Sequence, residues 1–340
     1  MSDLEIVELD PFDAAAFDAW HRVYAEAELA CGPGVAAPWQ LEELRVLLQT
    51  PSDRYAKAGW SGLVDGRVVT VGFLRVPLRD NPDRAEVAVH TLPAARRRGY
   101  GAAMLARLEQ VARERGRAIL VGEIAWPYAA GPDGTGEPGP GFAAAHGYGL
   151  ALGDVKRRLR LPVAAEVLDA LAAEAAAASE GFTLRSFVGA VPEEILAGWT
   201  HLVSSLVTEA PTGDLEVEPE AADPALVRET EALIEKQGRT KYNTVALDPA
   251  GEVVAYTDLA TTIHEPGRAY QWGTLVRADA RGHRLGIAVK VANLRLLQDA
   301  RPDVTTLVTY NAEVNARMVE VNERLGFTPV ARLGEFQKRA

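Results

Sequence analysis

Two short stretches carry residue types that could hold a charged ligand. One is RRRGYGAAM, Arg96 to Met104, and the other is RGHRLGIAV, Arg281 to Val289. Each follows an apolar run that reads as a strand and precedes a run with helical apolar spacing. A glycine-bearing turn at such a place directs several backbone N–H groups into one concavity, and the dipole of the next helix adds positive potential. That combination suits a phosphate or pyrophosphate. In the first turn Arg96, Arg97 and Arg98 add charge, while Gly99 and Gly101 let the backbone approach a ligand closely. A single isolated turn of this kind reads more simply as a tight connection with solvated arginines. Neither stretch is a Walker loop, for want of Gly-Lys-Ser/Thr, and the glycine spacing is not that of a dinucleotide fingerprint.

Composition narrows the other chemistry. Cys31 is the single cysteine, so an internal disulfide and a cysteine-based metal site are excluded, and no metal is expected. The local sequence offers no histidine to activate Cys31, and an ordinary thiol is expected there. The formal net charge of −11, with no long basic block, weighs against nucleic acid and anionic membrane surfaces as partners. A local basic turn can still oppose that charge, so polyanionic cofactors stay open. No basic-then-apolar leader is read, nor an apolar run long enough to span a bilayer, and a cytoplasmic location is expected. At 340 residues and 48% apolar content, the chain suits two domains with their own cores.

The elements that must position the turns come twice in the same order. Residues 11–30 have helical spacing with Asp13 or Asp10 as cap. Residues 60–78 read as two strands around Asp65-Gly66, a hairpin signal, and 84–92 as a third strand. The first turn and a helix follow, then a buried strand at 118–126. The stretch 129–142, rich in Gly and Pro, reads as a loop, and 146–161 as a closing strand or hairpin. Residues 163–181 read as an alanine-rich helix, either a linker or the first helix of the second half. The second half then gives a strand (182–189), two helices, a strand pair (242–263), a strand (269–276), the second turn, a helix (288–300), a buried strand (304–310) and a helix (311–327). In this alignment the loop 129–141 replaces the helix that the second half has before Gly326. The repeat argues for two similar α/β domains.

Arg-x-x-Gly-x-Gly/Ala after a hairpin and a strand, then a helix, a buried strand and a terminal Gly-aromatic pair, resembles the GNAT superfamily of acyl-CoA-dependent N-acyltransferases. The resemblance covers nearly the whole chain. It implies an α/β fold, an α+β mixed sheet in each of two tandem GNAT-fold domains: 1–162, a linker at 163–181, and 182–340. It further implies acetyl-CoA or coenzyme A, up to two per chain, with the pyrophosphate on the turns. The first turn matches at Arg96, Gly99, Gly101 and Ala102, with Thr91 and Tyr100 beside it. The second, Arg281, Gly282, His283, Arg284, Leu285 and Gly286, departs at Arg284, which stands where a glycine belongs. Asn311 and Asn315, in the helix after the fifth strand, are implied as further coenzyme contacts, Asn315 at the family's usual polar position.

The catalytic implications are less complete. A backbone N–H near Thr91 in the first half and Val276 in the second is implied as donor to the thioester oxygen. The family's acidic tyrosine position holds Ala143 in the first half and Asn322 in the second, and Tyr310 is the nearest substitute. Its base position has Glu86 nearby in the first half, but Tyr270 and Gln271 in the second. Asp258 and His264 are further titratable candidates. Thr274 shares the parity of Val276 and lines an acyl site; Trp272 shares it too and reads more simply as a core residue. The expectation is acyl transfer to the amine of a small metabolite by direct attack on the thioester, run by the second domain while the first holds a coenzyme as structure. Tandem members of actinobacterial antibiotic pathways share this layout. The alternatives are an acyl-CoA-binding protein without transferase activity, and catalysis in the first half through Glu86.

Overall fold

The structure, a computed structural model, describes residues 4–339. In chain order its main elements begin with β1 (Glu5–Glu8), α1 (Ala14–Leu29), α2 (Leu41–Gln49), β2 (Tyr55–Val64), β3 (Arg67–Pro77), β4 (Arg84–Thr91), α3 (Tyr100–Glu114), β5 (Ile119–Pro127), α4 (Pro138–Ala145) and β6 (Gly149–Arg160). They continue with α5 (Ala165–Ala178), β7 (Thr183–Val188), α6 (Glu193–Ser204), α7 (Leu206–Glu209), α8 (Pro224–Lys236), β8 (Arg239–Leu247), β9 (Val253–Thr262), β10 (Arg268–Val276), α9 (Leu285–Ala300), β11 (Thr306–Ala312), α10 (Ala316–Leu325) and β12 (Thr328–Arg339).

These elements form two compact units. The first takes the described residues through Asp154, Thr212–Val217 and those from Val330 on; the second takes Val155–Pro211 and Glu218–Pro329. The division thus falls at residue 154 rather than 162. The stretch 163–181 lies wholly in the second unit, where Leu168, Leu171 and Ala175 of α5 are buried in a cluster with Leu294 and Leu297 of α9.

In the first unit the strand order is β1-β2-β3-β4-β5-β12. All its neighbours pair antiparallel except β4 and β5, which are parallel. β2 and β3 meet at Asp65-Gly66, whose φ values of 49° and 73° are both positive, as the favoured two-residue hairpin turn requires. Asp13 caps α1 as the spacing predicts, accepting from the N–H groups of Ala15 and Ala16. Leu74, Met104, Leu108 and Leu120 build the core beneath α3, and Phe17, Trp20, Val23 and Val71 the core beneath α1.

The Gly- and Pro-rich stretch is not all loop, because its end forms α4. Proline in a first helical turn costs little, since the N–H it lacks has no intrahelical partner there. Gly139 is tolerated because Ile124 fills the space its side chain would need, at 2.5 Å from an ideal Cβ. Both halves therefore carry a helix before their glycine-aromatic pair.

The second unit has the order β6-β11-β10-β9-β8-β7, with β10 and β11 parallel. β9 is buried along its whole length, as expected of a strand covered on both faces.

Candidate functional site

The parallel pair of each unit parts after three residues. β4 and β5 pair from Arg84↔Ile119 to Glu86↔Val121, and β10 and β11 from Arg268↔Thr306 to Tyr270↔Val308. Beyond these points each first strand keeps its antiparallel partner, so the opening is a wedge on one side only. Leu92 donates to Val69 O at 3.0 Å and Arg277 to Val254 O at 2.8 Å. Strand alternation then turns the N–H groups of Thr91 and Val276 the other way, into the wedges.

Both wedges end at an arginine-led turn, and the turns share their geometry. Arg96 Nε donates to Thr91 O at 3.2 Å, and Arg281 Nε to Val276 O at 3.3 Å. The leading arginines therefore fasten the turn to the strand. Two left-handed residues follow in each turn: Arg97 and Gly99 at φ 63° and 85°, and Gly282 and Arg284 at φ 93° and 52°. Arg284 thus occupies the left-handed cap position that Gly99 fills in the first turn, at some steric cost.

The electrostatics of the two turns diverge. Arg97 and Arg98 are exposed and have no ion-pair partner among the described residues, and the space beside Gly99 is empty within 4 Å. Gly101 is packed closely, with Thr91 Oγ1 3.2 Å from where its Cβ would lie. In the second turn Arg281 pairs with Glu209 and Arg284 with Glu174, which also binds Arg324. His283 Nδ1 lies 3.1 Å from Ala178 O, with its ring against Phe182. The first turn is an open cationic site, and the second is neutralised by its own unit.

The first unit also gathers carboxylates beside its wedge. Glu86, the expected base, pairs with Arg75, whose guanidinium lies 4.7 Å from the Tyr55 ring centroid, so this carboxylate is already committed. Glu123 on β5 faces Glu335 on β12 across the ladder. Burial, then Glu335 and Glu86, push Glu123 up to about 7. Burial and Asp154 push Glu335 up to about 7, and burial and Glu123 push Asp154 up to about 6. Glu123 is exposed yet surrounded by protein, as a group lining a cleft would be. The sequence reading missed these three. Its one available signal was the lone glutamate in the buried run ILVGEIAW.

Comparison with known proteins bears on this arrangement. Residues 18–124 match the model of the acetyltransferase (GNAT) family, from α1 through the first turn into β5. A tandem GNAT protein from the clavulanic acid biosynthesis pathway superposes with a TM-score of 0.79 at 28% identity, over 99% of this chain and 98% of that one. The chain is a tandem GNAT-fold protein. A GCN5-related N-acetyltransferase from Sphaerobacter thermophilus has a TM-score of 0.66 at 15% identity, over 99% and 95% of the two chains. Saccharomyces cerevisiae N-myristoyltransferase has 0.60 at 12%, over 100% and 80%. At these identities the last two show the fold alone. No protein of curated function matches the sequence. GNAT proteins as a class bind acetyl-CoA or coenzyme A and transfer acyl groups to amines.

The second GNAT unit spends most of its expected site residues on structure. β10 bulges between Gln271 and Thr274. Gln271 Nε2 donates to Asp258 O at 2.6 Å, Gly273 N to Asp258 Oδ1 at 2.8 Å, and the Thr257 and Thr274 hydroxyls meet at 2.7 Å. Asp258 also pairs with Lys241 at 2.7 Å, their side chains 9% and 12% exposed. The bulge breaks the parity assumed for Trp272. It is not a core residue but 36% exposed, with Arg239 and Lys241 each 5.8 Å from its ring. Tyr270 donates to Glu265 and is pushed up to about 12 by burial and by that carboxylate. Tyr310 is half-buried, with Lys156 Nζ 5.9 Å from its ring centroid. Asn315 Oδ1 caps α10 by accepting from Met318 N at 3.2 Å, and Asn311 accepts from Asn322 Nδ2. His264 lies past β9, beside Gly238. Leu285 is buried, and Gly286 packs near Val276.

Among the described residues no group of His, Cys, Asp and Glu is arranged to hold a metal ion, and no helix is long and apolar enough to cross a membrane. Burial and then Glu28 raise the Cys31 thiol, which keeps it protonated.

Proposed function

We propose that this chain is an acyl-CoA-dependent N-acyltransferase acting on the amine of a small metabolite, with its donor held by the first unit. The supporting observation is the open first turn: two unpaired arginines and a left-handed glycine at the mouth of a wedge. Those residues fit a pyrophosphate, with Arg97, Arg98 and the N–H groups at the start of α3 holding it. Thr91 and Tyr100 to Ala102 border the same concavity. Acyl-coenzyme A supplies the activated acyl group, with acetyl as the first chain to test.

The Thr91 N–H, aimed into the wedge, donates to the carbonyl oxygen as charge grows there. The amine nitrogen attacks the carbonyl carbon and the carbon–sulfur bond breaks. Glu123, ionised above about pH 7, accepts the ammonium proton. Glu86 and Arg75 border the same face and hold the acceptor end polar. The leaving thiolate takes a proton from water, since Ala143 stands at the family's tyrosine position.

This reading moves transfer from the second unit, where the sequence alone placed it, to the first. A role for Tyr310, Thr274 and Val276 in a second transfer site requires coenzyme on a turn whose arginines are already paired. The clavulanic acid neighbour makes a secondary-metabolite amine the first acceptor class to screen. The missing tyrosine favours one competing reading, an acyl-CoA-binding protein without turnover. Acetyl-CoA consumption over an amine panel decides between them. Turnover that survives Tyr310→Phe but falls with Glu123→Gln supports the proposal. Tight acetyl-CoA binding without turnover of any amine supports the binding protein.

A further inference from the structure

Because the two units share a frame, positions where their chemistry differs are informative. The sixth residue of α3 is Leu105, 5% exposed; the sixth of α9 is Lys290, 2% exposed. Four residues before the helix-ending glycine stands Ala143 in α4, and Asn322, at 0% exposure, in α10. The strand beyond the wedge aligns through those same glycines. A Cβ on Gly147 would meet Lys338 of β12 at 3.8 Å, and one on Gly326 would meet Leu159 of β6 at 3.4 Å. Two residues before these contacts come Phe336, 4% exposed, and Arg157, 5% exposed.

Leu105, Ala143 and Phe336 belong to one apolar cluster of the first unit. Their counterparts in the second unit are a lysine, an amide and an arginine, placed where the first unit packs hydrocarbon. Among the described residues Arg157 Nε and Nη1 have no hydrogen-bond partner, nor has Asn322 Oδ1. Lys290 has no carboxylate partner among the described residues, and its Nζ lies 5.7 Å from the centroid of the Phe327 ring. Burial alone draws Lys290 down to about 7. A buried cation without a counter-charge is costly.

We propose that Arg157 and Lys290 form a buried carboxylate-recognition site in the second unit, with Asn322 Oδ1 accepting from a donor group of the same ligand. A singly charged, planar carboxylate neutralises the fixed charge of Arg157 and leaves Lys290 to adjust its proton. The site occupies a core layer, so the group that enters is compact. It arrives either on a free carboxylic acid or as the far end of a carboxylate-terminated acyl thioester. The site stands on the second unit's own residues and does not depend on acyl transfer in the first.

Isothermal titration of the full chain tests this with three probes: malonate, malonyl-CoA and acetyl-CoA. Each is titrated into the native protein and into Arg157→Met/Lys290→Met. Malonate or malonyl-CoA is expected to bind the native protein and to weaken about tenfold or more in the variant, while acetyl-CoA is unchanged. A response to malonate marks a free acid as the ligand; a response to malonyl-CoA alone marks the thioester. Equal affinity of both carboxylate probes for native and variant protein overturns the site. The variant is expected to keep or raise its melting temperature, because apolar groups replace unpaired buried charge. Should the double variant not fold, Lys290→Met alone carries the same comparison. Loss of acetyl-CoA binding in the native protein would sink the acyl-donor reading and leave this one standing.

Discussion

Arg97 and Arg98 allow binding to be separated from folding, because none of the described residues pairs with their guanidinium groups. Replacing both with alanine should weaken acyl-CoA binding about tenfold or more and leave the melting temperature unchanged, as calorimetry and thermal melts can read. Arg96→Ala should behave differently, because Arg96 also donates to Thr91 O and Ala27 O. It should lower the melting temperature as well as the affinity. Glu123 gives a pH test. Its carboxyl rises from the ordinary 4.5 to about 7. Below about 4.5 both folded and unfolded chains hold that proton; between 4.5 and 7 only the folded chain does. Its contribution to stability is therefore full in acid and is lost as pH rises through about 7. Thermal melts of Glu123→Gln across pH 5 to 8 should show a shallower decline than the native protein. An identical decline would remove Glu123 from the account.

At the scale of elements, the second turn is the natural experiment. Arg284 and Glu174 are 45% and 37% exposed at their side chains, so their pair contributes about 0–1 kcal/mol at most. Glu174→Gln/Glu209→Gln should thus leave the fold intact while freeing the arginines of the turn. Native mass spectrometry is then expected to show a second, weaker acyl-CoA per chain where the native protein holds one. One bound coenzyme in both forms would mean that Arg284, rather than the carboxylates, closes that turn.

The turns themselves were legible because they recur in the same element order, although one such turn alone reads as a tight connection with solvated arginines. The Asp65-Gly66 hairpin was legible because Asp-Gly is a hairpin signal. Helix α4 was not, since composition argued loop and only the packing of Gly139 on Ile124 shows otherwise. The β10 bulge was hidden as well. Gly273 alone permits it, with Tyr256 Oη 2.4 Å from where a Cβ would lie, and its displacement of Trp272 could not be read from alternation. Of the carboxylate cluster only Glu123 left a signal, because its members stand far apart in sequence, on β5, β6 and β12.

At the scale of the molecule, each unit borrows from the other half of the sequence. Ala331–Arg339 of β12 pair with β5 in the first unit, and the second unit begins at Val155, within β6. A chain holding residues 1–162 alone should therefore leave β5 with an unpaired edge, and should aggregate or remain partly unfolded. Covalent addition of residues 328–340 should restore amide protection along β5 in hydrogen exchange. Equal protection without them would mean that the first unit is complete without β12.

That borrowed strand also sets an order in time. Nascent domains usually fold from the amino terminus forward as the ribosome delivers them. Here the half that is translated first cannot close until residues 330–339 have been made, so the arginine-led turn before α3 waits until the second unit has been translated. A protease nick or premature stop within residues 330–339 would reach the first unit before it touched the core of the second.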